Sequence, residues 1–207
     1  MLTDNILDLI GNTPLIQLKG ERVFAKAEFL NPGGSIKDRV ALAMIEGAER
    51  DGKLTKNSLI VETAHELWRQ MSGDIACFVA GVGSGGTLQG VGMFLKERHA
   101  GVRIAAVEPK NVSALLGHEP GLHQIQGIGD GFVPDILDRA LIDEVIEVSD
   151  EDAIETTRQL GRDQGLLVGI SSGANVWAAR QLAKRIAGKI ATVLPDRVER
   201  YFTTSLM

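Results

Sequence analysis

Cysteine, aromatic residues and long apolar runs are all scarce in this sequence, and each shortage excludes a class of protein. One cysteine, Cys77, in 207 residues excludes an internal disulfide, and its apolar neighbours indicate an inert core thiol. Aromatic residues make up 4% of the chain and the net charge is -5, so nucleic acid is not an expected partner. No apolar run could cross a membrane and no leader pattern begins the chain. We therefore expect a cytoplasmic protein that does not bind membranes.

Histidine is scarce too, and the four histidines show no spacing typical of metal ligands. His65 and Glu66 begin the zinc pattern H-E-x-x-H, but Arg69 stands where the second histidine is required. The sequence therefore predicts no metal site.

Short apolar or β-branched runs alternate along the chain with helical patterns. This alternation predicts an α/β fold in which helices flank a mainly parallel, twisted sheet. With 44% hydrophobic residues, the chain can bury the core of a single domain, 1–207. Strands are predicted at 15–18, 23–28, 58–61, 75–80, 104–107, 144–148 and 190–194. Amphipathic helices are predicted at 40–50, 88–97 and 150–164, the last with Ser149 as its N-cap.

Lys37 directly follows a glycine-rich turn, in the segment Asn-Pro-Gly-Gly-Ser-Ile-Lys-Asp-Arg, and stands at the head of a helical pattern. A single lysine in such a place is usually only solvated. An enclosed lysine amine, however, can form an imine with an aldehyde cofactor and later remove a proton from a substrate.

A second glycine-rich turn connects a predicted strand to a predicted helix. It consists of Gly83, Ser84, Gly85, Gly86 and Thr87. Backbone N–H groups at such a helix start suit a phosphate. Together with Gly81 and with Glu108 at the end of the next strand, the turn also satisfies the local pattern for NAD. A tight turn without a ligand is the third interpretation.

Two more segments carry candidate site residues. Ser171 lies between an apolar run and a helical pattern, where it could bind a ligand. The alternative is that Ser171 or Ser172 merely caps the helix. The second segment is a loop rich in glycine, which lets the backbone approach a ligand closely. Its candidate residues are Gly127, Ile128, Gly129, Gly131 and Phe132.

These four motifs, in their order along the chain, resemble those of the cysteine synthases (O-acetylserine sulfhydrylases), which are fold-type II enzymes that use pyridoxal phosphate. The resemblance implies that Lys37 binds pyridoxal 5'-phosphate, that Gly83 to Thr87 hold its phosphate, and that Ser171 contacts the pyridine nitrogen. A neutral hydroxyl there would leave the ring nitrogen largely unprotonated, which favours β-elimination. The loop from Gly127 to Phe132 would lie beside the substrate. NAD would explain only one of the four motifs.

The activity that the resemblance implies is a β-replacement. O-acetylserine and sulfide would give cysteine and acetate through an aminoacrylate, with Lys37 as the base. The chain also departs from the family pattern. Asp130 replaces the usual alanine, and Arg197 and Val198 replace serine and glycine near the C-terminus.

One family segment is missing between Glu62 and Thr63. In the family, the strand equivalent to 59–62 leads into the loop that holds the substrate, whereas here it leads into what resembles a much later helix. The gap is on the order of 100 residues, the size of a small domain. Residues 38–62 would then be the remnant of a small mobile domain.

The missing segment leads to two hypotheses. We expect a cofactor-binding domain whose activity is impaired, because positioning and closure contribute much of an enzyme's rate. The alternative is a non-catalytic remnant or scaffold that still binds pyridoxal phosphate. The resemblance also implies a homodimer. Docking of the family's partner, serine acetyltransferase, uses the substrate cleft and would be disturbed. Core surface uncovered near Glu62 and Thr63 would favour new association.

Overall fold

A six-stranded sheet forms the centre of the fold in the computed structural model, which describes residues 3–51 and 60–206. The strands are β1 (Leu15–Gln17), β2 (Val23–Lys26), β3 (Cys77–Gly81), β4 (Arg103–Pro109), β5 (Glu144–Val148) and β6 (Ile190–Val193). Their order across the sheet is β1-β2-β6-β3-β4-β5. β1 pairs antiparallel with β2, and every other neighbouring pair is parallel. The predicted mainly parallel sheet is confirmed.

Five α-helices flank this sheet in the part of the chain that the structure describes. They are α1 (Lys37–Asp51), α2 (Ile60–Gln70), α3 (Gly86–Arg98), α4 (Asp150–Gln164) and α5 (Ile170–Ala183). α4 and α5 pack together in the core on one face of the sheet, and α2 and α3 do so on the other. This arrangement confirms the predicted α/β class.

The N-cap predicted for α4 is confirmed. The Ser149 hydroxyl accepts a hydrogen bond from the backbone N–H of Asp152, at 3.1 Å. At the other end, Gly165 takes the left-handed conformation that ends many helices, with φ 68°.

The strand predicted at 58–61 is wrong where the structure describes it. α2 begins at Ile60, and residues 58 and 59 lie outside the described residues. A short apolar run cannot by itself distinguish a strand from a helix. Here the run continues into an amphipathic segment that buries Ala64 and Leu67, so residues 60–62 form the first turn of that helix.

Cys77 lies in the middle of the sheet and has no exposed surface. Burial raises the pKa of its thiol to about 12, which agrees with the predicted inert core thiol. Among residues 3–51 and 60–206, no helix is long and apolar enough to cross a bilayer.

α4 and α5 approach each other closely at Gly173. A Cβ atom built there would lie 2.0 Å from the Thr157 hydroxyl oxygen and 2.2 Å from the Ala153 carbonyl oxygen. Only glycine fits this crossing. The contact fixes the first turn of α5, which carries Ser171, against the rest of the core.

Four charged side chains form a buried ion network where β2, α1 and α2 meet: Lys26, Glu28, Arg39 and Glu66. The Arg39 guanidinium donates to both oxygens of Glu28 at 2.8 and 2.9 Å. It also donates to both oxygens of Glu66 at 2.8 and 2.9 Å. Lys26 donates to Glu66 Oε2 at 2.5 Å. Two cations therefore neutralise two anions, as burial of charge requires.

The buried ion network also holds the N-terminal segment. The backbone N–H of Asn12 donates to Glu66 Oε1 at 2.8 Å, and the Thr13 hydroxyl donates to Glu28 Oε1 at 3.0 Å. Lys26 donates to the Thr13 carbonyl as well. Arg39 stands two residues after Lys37 on α1, so the network fixes the start of that helix.

We expect Glu66→Ala to lower the free energy of unfolding by about 3–5 kcal/mol, because Arg39 and Lys26 would keep buried charges without their partner. Glu62→Ala is the matched control. Glu62 lies one turn earlier on α2 and faces Arg39 at 3.7 Å, but 68% of its side chain is exposed. Its removal should cost less than about 1 kcal/mol. Urea unfolding of both variants measures the difference, and equal losses would contradict the role given to the network.

The network also predicts how stability depends on pH. Burial alone would raise the pKa of Glu66, but hydrogen bonds from Arg39 and Lys26 outweigh it and lower this pKa to about 2 from the ordinary 4.5. A carboxylate whose pKa is lower in the folded state contributes stability above pH 4.5, and that contribution is lost as the pH falls toward 2. The free energy of unfolding of the native chain should therefore fall more steeply over this interval than that of Glu66→Gln. Parallel slopes in urea unfolding would refute this.

Candidate functional site

A cavity of about 500 Å³ opens at the carboxyl ends of β3 and β6. These two strands are neighbours, yet the chain leaves β3 toward β4 and reaches β6 last, on the other side of β3. The cavity therefore lies where the strand order reverses, the place where open α/β sheets bind ligands. Polar residues at its wall include Ser35, Lys37, Ser84, Thr87, Ser171, Asn175, Asp196, Arg200 and Tyr201.

The turn before α3 forms one end of the cavity. Gly85 is the N-cap of α3, with φ 77° and no side-chain cap, so the first N–H groups of the helix have no side-chain acceptor there. Gly83 is equally constrained, because a Cβ atom there would lie 2.4 Å from the Gly127 carbonyl oxygen. Gly83, Ser84, Gly85 and Thr87 line the cavity. Gly86 lies beside a small adjoining pocket, which Lys37 also borders.

Lys37 is the first residue of α1 and borders the same cavity. Lys37 is an exposed residue in this structure. The turn before it depends on Gly34, whose φ of 76° suits glycine. The backbone N–H of Gly34 donates to the Asn31 carbonyl at 2.8 Å, which closes the turn.

The segment after β6 fixes this turn in place. The backbone N–H of Ile36 donates to the Pro195 carbonyl at 2.8 Å, and that of Arg197 donates to the Gly34 carbonyl at 3.1 Å. The Arg197 side chain donates from Nε to the Phe29 carbonyl at 2.8 Å. Arg197, a departure from the family pattern, therefore binds the turn that carries Lys37. Val198 packs against the core.

Ser171 lies in the first turn of α5 and borders the cavity, with 4% of its surface exposed. The N-cap of α5 is Gly169, and no side chain caps the helix. The alternative that Ser171 or Ser172 merely caps this helix is therefore wrong. Beside Ser171, the Tyr201 hydroxyl donates to Asp196 Oδ2 at 2.8 Å.

The glycine-rich loop contributes only part of its residues to the cavity. Gly127 and Ile128 line it, together with Gln126. Gly129, Gly131 and Phe132 are not among its lining residues. The backbone of Gly129 instead packs against Pro109 and His123, and Phe132 is 61% exposed. Gly129, Gly131 and Phe132 were expected beside the substrate, but the structure places them away from the wall of this cavity.

Asn175 belongs to the site although no role was predicted for it. Its side-chain oxygen accepts from the backbone N–H of Gly81 at 2.8 Å, and its side-chain nitrogen donates to the Val193 carbonyl at 3.0 Å. It thus joins the ends of β3 and β6 at the cavity floor. A polar residue on an otherwise apolar helix face was the available signal.

Sequence reasoning also missed the buried ion network. Lys26 stands within a predicted strand, and Glu66 drew notice only as part of a rejected zinc pattern. Within the described part of the chain, His, Cys, Asp and Glu side chains form no group of three or more that could hold a metal.

The structure argues against the NAD interpretation, because Glu108, the acidic residue that this interpretation needs, is placed away from the cavity. Glu108 is buried, accepts hydrogen bonds from the Ser113 hydroxyl at 2.7 Å and the Leu115 N–H at 3.0 Å, and does not line the cavity. Its carboxylate is therefore not placed to bind a ribose.

The residues present do fit pyridoxal phosphate. At one end, an uncapped helix start with the hydroxyls of Ser84 and Thr87 suits a phosphate. Lys37 supplies an amine and Ser171 a hydroxyl at the same cavity. A phosphate site, an amine and a separate polar group are what a phosphorylated pyridine aldehyde requires.

Comparison with known proteins agrees with this chemistry. The family model described as "Pyridoxal-phosphate dependent enzyme" matches residues 6–63 and, separately, residues 57–196. Cysteine synthase B of Campylobacter jejuni is 37% identical over 294 aligned positions, which span 98% of each chain. That alignment is longer than the 207-residue chain, so at least 87 of its positions, the difference between 294 and 207, have no residue here.

Solved structures of related enzymes also resemble this chain. O-acetylserine sulfhydrylase isoform 3 of Entamoeba histolytica superposes with a TM-score of 0.94 at 27% identity, over 100% of this chain and 92% of its own. The O-acetylserine dependent cystathionine beta-synthase of Helicobacter pylori superposes with a TM-score of 0.90 at 27% identity, over 100% of this chain and 99% of its own. With the fold, the cavity and both family matches in agreement, the chain belongs to the pyridoxal-phosphate dependent enzymes and is a cysteine synthase family protein.

Proposed function

We propose that this chain binds pyridoxal 5'-phosphate through Lys37 and carries out the cysteine synthase β-replacement at a reduced rate. The substrates are O-acetylserine and sulfide, and the products are cysteine and acetate. One observation supports the proposal above all. A single cavity brings together the Lys37 amine, the uncapped turn from Gly83 to Thr87 and the Ser171 hydroxyl, three features far apart in the sequence.

When bound, pyridoxal phosphate supplies an electron sink that stabilises negative charge at the α-carbon of an amino acid. The chain's own residues do the rest. Gly83 to Thr87 would hold the phosphate with backbone N–H groups and hydroxyls. Lys37 would bind the cofactor through its amine and would accept the α-proton of the substrate. Ser171 would hold the ring.

We attribute the proposed loss of activity to the family segment that is missing between Glu62 and Thr63. Two findings support this proposal. The family model matches the chain in two separate parts, which overlap at 57–63. The alignment with the Campylobacter jejuni enzyme also contains many positions that have no residue in this chain. Without that segment the cavity would stay open to water, which weakens electrostatic interactions and leaves the substrate loosely held. We propose residues 38–62 as the remnant of the small domain.

O-acetylserine is the proposed amino-acid substrate. The Helicobacter pylori protein is named as O-acetylserine dependent, although its name gives a different product, cystathionine. The shared requirement is a leaving group on the β-carbon, and the acceptor that replaces it differs between relatives. Sulfide is the acceptor proposed here because the curated relative is named as a cysteine synthase.

The proposed assembly is a homodimer in the cytoplasm. Met44 and Ile45 on α1 are 46% and 54% exposed, within the proposed remnant of the small domain, and such apolar surface favours association. Docking of serine acetyltransferase would be weakened, since the cleft it uses would lack one wall.

The second candidate function is a non-catalytic protein that binds pyridoxal phosphate. The alignment positions that have no residue here favour it, because the family segment that would hold the substrate is the one proposed to be missing. Both candidates need the same cofactor site, so they differ only in what happens after substrate is added.

Lys37→Ala should abolish covalent attachment of the cofactor. Native protein incubated with pyridoxal phosphate should show a visible absorbance band, and borohydride should remove the band and fix the cofactor's mass on Lys37. Lys110→Ala is the control, because Lys110 is an exposed lysine outside the cavity. It should behave as the native chain does. Labelling that persists in Lys37→Ala would overturn the proposed role of this lysine.

The native chain should form cysteine from O-acetylserine and sulfide at least about 100-fold more slowly than the Campylobacter jejuni enzyme, because loose positioning costs about that much. Cysteine release measured for both proteins under identical conditions tests this. Equal rates would refute the proposed impairment. A cofactor band that does not respond to O-acetylserine, together with no cysteine, would favour the non-catalytic candidate.

A further inference from the structure

Arg200 is a cation at the cavity wall that takes no part in the proposed cofactor site. It is an exposed residue in the short segment after β6, and it borders the cavity together with Tyr201. Its guanidinium donates from Nη2 to the Gly33 carbonyl at 3.2 Å. Among the described residues it forms no ion pair with a carboxylate. The planar guanidinium therefore keeps N–H donors for a ligand.

The cavity wall carries more positive than negative charge. Lys37 and Arg200 are its cations, and Asp196 is the only carboxylate among its described lining residues. The Asp196 carboxylate faces other groups, because Tyr201 donates to its Oδ2 at 2.8 Å and its Oδ1 lies against Gly169. Arg200 lies near enough for its charge to act on Asp196, yet no hydrogen bond joins the two in the described part of the chain. Such a wall suits a ligand with an anionic group of its own for Arg200.

The contacts of Lys37 and Arg200 give the order of the groups along the wall. Lys37 borders a small pocket together with Ser84 and Thr87, so it lies next to the turn proposed to hold the phosphate. Arg200 is bonded to Gly33, at the start of the turn that carries Lys37. The contacts thus run from the start of α3 to the amine and then to the guanidinium.

The chemistry of cofactor and substrate has the same order. In pyridoxal phosphate the aldehyde stands on the ring carbon next to the one that carries the phosphate arm. In an α-amino acid only the α-carbon separates the amine from the carboxylate. Once the amine of an amino acid takes the place of the Lys37 amine, its carboxylate lies beyond the aldehyde carbon, on the side away from the phosphate.

We propose that Arg200 binds the α-carboxylate of the amino-acid substrate. This inference rests on the proposed function, because it concerns the substrate of that same site. A guanidinium keeps its charge throughout the ordinary pH range, and its paired N–H groups match the two oxygens of a carboxylate. The site therefore selects α-amino acids over simple amines.

Ligand binding to holoprotein tests this assignment, with L-alanine and ethylamine as probes. Ethylamine is alanine without its carboxylate, and neither can lose a group from the β-carbon. Both should shift the visible band of the cofactor, and alanine should bind the native chain more tightly. Arg200→Gln should weaken alanine binding about 10- to 100-fold, as loss of a charged hydrogen bond does, and leave ethylamine binding unchanged.

Arg162→Gln is the matched control. Arg162 pairs with Glu155 on α4, is exposed and does not line the cavity. This variant should bind both probes as the native chain does. Arg200→Lys keeps the charge without the planar guanidinium, so it should recover part of the affinity for alanine that Arg200→Gln loses.

Equal weakening of alanine and ethylamine in Arg200→Gln would show that Arg200 acts only by fixing the turn before Lys37, and would overturn the proposal. Unchanged binding of both probes would overturn it as well. Loss of pyridoxal phosphate binding in Arg200→Gln alone would assign the guanidinium to the cofactor instead of the substrate. A native chain that forms no cofactor band would refute the proposed function, and the role of Arg200 with it.

Discussion

The placement of Lys37 depends on the buried ion network. Arg39 follows Lys37 by two residues on α1, and its guanidinium is held by Glu28 after β2 and by Glu66 on α2. Both bonds are bidentate and shielded from water, so they define the direction of α1 more narrowly than apolar contacts would. Buried ion pairs contribute little net stability on average, but they penalise every arrangement that separates the charges. The buried ion network thus fixes the start of α1, from which Lys37 borders the cavity.

Glu66 also explains how the fold tolerates a missing segment. Its carboxylate comes from the part of α2 after the proposed junction, whereas Arg39 comes from the part of the chain before it. The two parts are therefore joined through space as well as through the backbone. Ala64 and Leu67 anchor the same helix in the core. A deletion that ends before these residues leaves all four charges of the buried ion network paired.

Much of the fold was accessible from the sequence because its signals are local. Alternating apolar runs and Ser149 predicted the sheet and α4, and glycine-rich turns marked Lys37 and the Gly83–Thr87 segment. The failures have physical reasons. A short apolar run at 58–61 fits either a strand or a helix, and its neighbours in space decide between them. Ion pairs such as that of Arg39 with Glu66 join residues that are far apart in the sequence, and no local sequence pattern predicts them.

Close backbone packing and side-chain hydrogen bonds hold the α5 side of the cavity. Gly173 lets α5 pack against the backbone of α4 without a side chain between them, so α5 can neither slide nor rotate without a clash. Asn175, on the same helix, joins the ends of β3 and β6. The side that carries Ser171 is therefore held in place by α4 and by both strand ends. The opposite side is held as firmly, because the backbone around Lys37 is bonded to the segment after β6 and Arg39 to the buried ion network. A ligand that enters the cavity therefore meets a frame whose two sides are already set, and only side chains such as that of Lys37 need to rearrange around it.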